Sequence, residues 1–174
     1  MNLPKAATGA SVDGFPGQGV IQDRAGMDVD ANGWTWRLNH LSSRTLLDFH
    51  AALPLPPAIL NALALSIAER IKLVSASHVA TAFDVLRFLS RSEILAAEVA
   101  AGGVISTAFF AEMRGFNDLS FWRLHNVRHW YRWCANQGLP HFSRETADLL
   151  DDQVIGGNEK GRAVRTRDPE LGAF

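Results

Sequence analysis

Large apolar residues are sparse over the first thirty positions, where Gly, Asp and Ala dominate. The run Gly14-Phe15-Pro16-Gly17-Gln18-Gly19 reads as a turn former, and residues 1–30 as a flexible leader. Trp34, Trp36 and Leu38 then alternate with Thr35, Arg37 and Asn39. A period of two is expected of a short half-buried strand, and a second extended run over Thr45 to Phe49 would close a small hairpin. From Pro56 onward the period lengthens. Ile59, Leu60, Leu63, Ile67 and Ile71 recur at helical spacing, with Pro57 in a first turn where its missing N–H is harmless. This helix is predicted to end near Val74. Ser75-Ala76-Ser77 supplies an N-cap for a second helix, in which Val79, Phe83, Leu86 and Leu89 share one face. After a break at Gly102-Gly103, a short helix is expected from Ser106 to Met113. A longer one, capped by Asn117 or Asp118, should run to about Asn136, where Gly138 and Pro140 stop it. A last helix, Arg144 to Asp151, follows a Ser143 cap.

The expected fold class is therefore mainly α: a small helical bundle preceded by a short β-hairpin-like element and a loose N-terminus. Residues 31–155 form the helical domain. Residues 156–174, rich in breakers and basic in their first half, read as an exposed linker. With 47% apolar and 20% charged residues the middle of the chain can bury a core, and the formal net charge of -1 gives no global basic excess. Any nucleic-acid contact must come from a local patch.

The helix ending at Asn136 offers such a patch. At about 100° per residue, Phe121, Leu124, Val127, Tyr131 and Cys134 fall in one apolar sector. His125, Arg128, His129 and Arg132 cluster in another, well away from it. Guanidinium groups on an open helix face suit phosphates and the acceptor edge of guanine in a major groove; the plainer reading is a solvated basic face. Arg87 and Arg91 project from the second helix, with His78 and Thr81 also off its apolar face, and Lys72 precedes its cap. Ser77, His78 and Thr81 stand at a helix start, where N–H groups favour phosphate. Lys160 and Arg162, with Arg165 and Arg167, would track phosphates from the linker.

Other chemistries are poorly served. His125 and His129 have an i,i+4 spacing that can hold a metal, yet no third ligand is suitably spaced, so no metal and no cofactor is expected. Cys134, the single cysteine, excludes an internal disulfide, points to a reducing compartment and sits on the packing side of its helix. Gly156, Gly157 and Gly161 do not form a phosphate loop. Asp151 and Asp152 are adjacent and read as exposed. No apolar stretch has the length of a membrane span, and no signal pattern opens the chain; a cytoplasmic protein with no membrane partner is expected.

The segment Val127-Arg128-His129-Trp130-Tyr131-Arg132-Trp133-Cys134-Ala135-Asn136-Gln137-Gly138-Leu139-Pro140-His141-Phe142 resembles the end of the N-terminal domain of certain tyrosine recombinases of the phage-integrase family. The stretch from Ile155 to Val164, with Asp168-Pro169-Glu170-Leu171-Gly172, resembles the linker that follows it there. The Trp-x-Trp-Arg-Leu run and the Ser-rich cap before Val79 also fit. The likeness is loose over residues 34–172 and good over 127–172. It implies a SAM-like core-binding domain that clamps double-stranded DNA at a recombination site, with other recombinase protomers as partners. The family's catalysis needs two arginines, a lysine, histidines and a tyrosine nucleophile. His125-Asn126-Val127-Arg128 matches the family's His-x-x-Arg formally. However, Tyr131, the single tyrosine, follows after only two residues, whereas the family's nucleophile lies well downstream on a separate helix. No catalytic residue is assigned, and a catalytic half is expected beyond Phe174. The resemblance thus implies DNA binding without cleavage. The alternative is a truncated recombinase acting as a protein-interaction module, anchored by Trp34, Trp36, Trp122 and Trp133.

Overall fold

A computed structural model describes residues 14–40 and 43–150. Two antiparallel hairpins precede the helices. Strands β1 (Val20–Gln22) and β2 (Asp28–Asp30) pair with Ile21 opposite Val29. Strands β3 (Thr35–His40) and β4 (Ser43–Asp48) pair with Trp36 opposite Leu47 and Leu38 opposite Thr45. The alternation at Trp36 and Leu38 turns both inward, while Thr35 and Arg37 face out, as a sheet with one wet face requires.

A single 3-10 turn (Phe49–Ala52) leads into α1 (Pro57–Leu73). Next come α2 (Ala76–Leu86), a second 3-10 turn (Arg87–Arg91), α3 (Glu93–Ala100), α4 (Thr107–Arg114), α5 (Phe121–Asn136) and α6 (residues 144–150). The chain is mainly helical, as its periodicity requires. Helix α5 packs against α1, α2 and α4, and the β3–β4 hairpin lies on α2. Two aromatic clusters fill the core. In one, Phe15, Trp36 and Phe49 meet at ring separations of 4.6 to 6.1 Å, and Phe49 reaches Phe83 of α2 at 4.8 Å. In the other, Tyr131 lies 5.8 Å from Phe109 and 5.1 Å from Phe142, and Trp130 lies 5.1 Å from Phe142.

Three local features differ from the sequence reading, and a fourth lies outside it. Residues from Phe15 onward belong to the fold and are not a loose leader. Phe15 is fully buried, Ile21 and Val29 are buried, and Arg24 N–H donates to the Ile71 carbonyl at the end of α1 (3.1 Å). The β1–β2 turn is built by Asp23, whose carboxylate accepts from the Ala25 and Met27 N–H groups (2.8 and 2.9 Å), and by Gly26 at φ +79°. Residues 1–13 lie outside the described residues. Secondly, Leu89 is buried as expected but stands in a 3-10 turn, because Ser92 starts a new helix there. Thirdly, α5 begins after Ser120, and Asp118 serves another purpose described below. Lastly, Glu112 of α4 accepts from Ser92 Oγ and from the Glu93 N–H (3.0 Å) at the start of α3. Glu98 of α3 in turn accepts from the Ser106 N–H (2.9 Å) at the start of α4. Each helix thus places a carboxylate at the positive end of the other.

The docked hairpin gives a direct expectation. Phe15→Ala should lower the unfolding free energy by about 3 kcal/mol, the usual loss for a buried aromatic, read by urea titration. A loose leader would give a change near zero.

Candidate nucleic-acid interface

Helix α5 sets its own rotation through what it buries. Val127, Trp130, Tyr131 and Cys134 are fully buried and Leu124 nearly so, close to the apolar sector read from the sequence. The side chain of Phe121 lies outside the described residues. On the far side, His129 is exposed, and His125, Arg128 and Arg132 are partly so. The structure therefore brings these four side chains together on one outward face.

They are linked. Arg128 Nη2 lies 3.0 Å from His125 Nδ1, and His125 Nε2 lies 2.7 Å from His129 Nε2, with the rings edge to face at 4.2 Å. A guanidinium only donates, so His125 Nδ1 accepts and His125 Nε2–H must donate to His129 Nε2. Arg132 Nη2 donates to Asp148 of α6 at 3.1 Å, with the carboxylate side chain 75% exposed.

Among the described residues, the remaining sequence candidates are engaged by partners of their own. Arg91 turns to the corner before α5. There it pairs with Asp118 (2.6 Å) and its guanidinium lies over the rings of Phe88 and Phe116 at 5.1 and 4.5 Å. Its neighbour Arg91 holds the exposed Asp118 carboxyl below the ordinary carboxylate range, mainly through this hydrogen bond. The expectation that Arg91 stands open to a duplex is corrected by that ion pair. Lys72 pairs with Glu69 at 2.6 Å. At the start of α2, His78 Nδ1 lies 2.7 Å from Ser75 Oγ, Ser77 Oγ lies 3.1 Å from Ser75 Oγ, and Thr81 Oγ1 donates back to the Ser77 carbonyl at 3.0 Å. These three side chains are exposed but already engaged with one another's turn. The Arg87 side chain, and Lys160 and Arg162 with the whole segment 156–174, lie outside the described residues.

Beside the α5 face runs a cleft of about 450 Å³ that sequence reasoning missed. Its α1 wall is the stripe Ser66, Glu69, Arg70 and Leu73. Its α5 wall is Asn126, His129, Trp130, Trp133 and Asn136, with Arg132 at the rim. Spacings of three and four put each set on one side of its helix. Arg70 is partly buried, and desolvation holds its guanidinium below the ordinary arginine range. The signal for Arg70 was its flanking place beside the buried Ile71, but only the docking of α1 on α5 shows which surface it meets.

Two groups with nucleophilic atoms, Tyr131 and Cys134, are buried. Tyr131 Oη donates to the Ile105 carbonyl at 2.6 Å and accepts from the Ser143 N–H at 3.3 Å, and burial raises its pKa. Burial also pushes the Cys134 thiol far up, so no thiolate forms at neutral pH. Trp36 is fully buried, which removes it from the set of proposed interface anchors, and Trp34 and Trp133 pack partly against the core. The Trp122 side chain lies outside the described residues. Among the described residues there is no group of three or more His, Cys, Asp or Glu side chains suited to a metal, and no helix long and apolar enough to cross a membrane. Comparisons with protein-family models, with curated proteins and with solved structures give no match.

A structural Tyr131 has a measurable consequence. Tyr131→Phe should destabilise the fold by about 1–3 kcal/mol, because the buried Ile105 carbonyl loses its donor, read by thermal or urea unfolding. A stability equal to wild type would show that the hydroxyl has no such role.

Proposed function

We propose that this chain is a non-catalytic DNA-binding module that meets duplex DNA through the outward face of α5. The observation that carries the reading is the grouping of Arg128 and Arg132 with His125 and His129 on one face, beside a cleft holding Arg70. The Arg132–Asp148 pair does not oppose it strongly. Such exposed pairs contribute about 0–1 kcal/mol, and a phosphate can replace Asp148 with little loss. The resemblance of residues 127–172 to the core-binding region of tyrosine recombinases supports the same reading, and with it a cytoplasmic site of action and recombinase protomers as partners. The rival module built on tryptophan anchors is weakened by the burial of Trp36.

Duplex affinity measured by fluorescence anisotropy over a salt series tests this. Replacing Arg128 and Arg132 together by Gln should weaken binding and reduce the log–log salt slope by about 1.8, the value for two phosphate contacts at about 0.9 each. An unaltered slope and affinity would remove α5 from the interface. Arg91→Gln, at the corner before α5, should change the slope by much less than one contact.

A further inference from the structure

Three side chains on the outward face of α5 are turned onto one another. Arg128 Nη2 lies 3.0 Å from His125 Nδ1, and His125 Nε2 lies 2.7 Å from His129 Nε2, with the two rings edge to face. Two ring nitrogens at that separation have room for one proton between them, donated by one and accepted by the other. An imidazolium carries N–H on both nitrogens. With both rings protonated, N–H would face N–H across the His125–His129 contact, and His125 would set a second cation against Arg128. Neither contact survives that state. The acids on the elements packed around α5 are engaged elsewhere. Glu69 of α1 meets Lys72 at 2.6 Å, Asp84 of α2 meets Arg123 at 4.0 Å, Asp148 of α6 meets Arg132 at 3.1 Å, and Glu112 of α4 accepts from the start of α3. The cations nearest His129 are Arg128 and Arg132 on its own helix and Arg70 across the cleft.

We infer that the His125–His129 pair is a proton-operated switch that regulates how strongly the α5 face holds duplex DNA. The inference rests on the function proposed above and supplies its control. In the closed arrangement Arg128 is turned onto His125 and the two rings onto each other. Proton uptake parts the rings, releases the Arg128 guanidinium from His125 and adds up to two imidazolium charges to a face that already holds Arg132. The like charges of that face oppose the uptake in the free chain, and a phosphate backbone offsets them. Proton uptake and duplex binding therefore favour each other, as reciprocal linkage requires. Histidine suits this role because its charge changes between about pH 5 and 8. Arginine or lysine at either position would add a permanent charge and remove the control. The i,i+4 spacing is what lets one ring act on the other.

Two measurements on the full chain test the switch. In the first, the imidazole resonances of the free chain are followed by NMR from about pH 8 to about pH 5, the range in which histidine titrates. The expected result is a coupled titration, in which His129→Gln changes the course of the His125 ring and His125→Gln changes that of His129. Rings that titrate alike in wild type and in both variants overturn the inference, whatever the duplex does. In the second, duplex affinity is read by fluorescence anisotropy at the two ends of that range, at fixed ionic strength. Binding should tighten about 5- to 25-fold on acidification, the worth of one or two exposed charges. The log–log salt slope should steepen by about 0.9 for each new phosphate contact. Replacing both histidines by Gln should remove most of this gain while leaving binding at the alkaline end near wild type. A duplex affinity that ignores pH, or a gain that persists in the double variant, overturns the inference and leaves the DNA module standing. Absence of duplex binding at every pH removes the DNA module and the regulation proposed for it, and the free-chain titration then reports whether the two rings are coupled at all.

Discussion

What α5 shows to solvent is fixed by what it must hide. Four consecutive helical contacts, Val127, Trp130, Tyr131 and Cys134, are fully buried, and the Tyr131 hydroxyl is tied to the Ile105 carbonyl. Ile105 is itself held, since its N–H donates to the His141 carbonyl at 2.8 Å. Phe142 packs against both Trp130 and Tyr131. A helix so clamped cannot turn about its axis. With about 3.6 residues per turn, burial of Val127 and Tyr131 obliges His125, Arg128, His129 and Arg132 to face outward. Trp130 lies at the edge of the buried sector, which is why it also borders the α1–α5 cleft.

The acids of the chain explain why a net charge of -1 says little about any one surface. Glu98 and Glu112 are used inside the fold, each accepting from backbone N–H groups at the start of the other's helix. Asp118, Glu69 and Asp148 each hold one cation at the surface. Exposed pairs of this kind are weak and salt-screened. They set the resting positions of Lys72 and Arg132 without making those cations unavailable to a stronger anion, whereas Arg91 is also held over the rings of Phe88 and Phe116.

The sequence made the longer elements legible and the short ones obscure, for physical reasons. Helix α1 carries nine buried residues and starts on a proline, so its period and its boundary are both strongly marked. Strand β3 was visible because Trp36 and Leu38 are large. Strands β1 and β2 have three residues each, with a single inward side chain apiece, Ile21 and Val29, which is too little pattern to register as alternation. The break at Ser92 was hidden because Leu89 and Leu95 are both buried and preserve an apolar rhythm across it. The cap depends on Glu112, twenty residues away. At the candidate site, the outward set on α5 followed from one helix and was readable. The ion pairs of Arg91 and Arg132, and the placing of Arg70 and Trp130 along one cleft, depend on how separate helices dock, and no local periodicity encodes that.

The distribution of unmatched charge then separates the α5 face from the cleft. On α5, Arg128, His125 and His129 are joined to one another. Arg132 is offset by Asp148. Arg70 is opposed by none of the described acids and has already lost part of its hydration. Desolvation makes a cation's attraction for an anion larger, because fewer waters must be displaced and the surroundings screen less. An anion meeting Arg70 breaks no ion pair among the described residues. At Arg132 it must first displace a carboxylate.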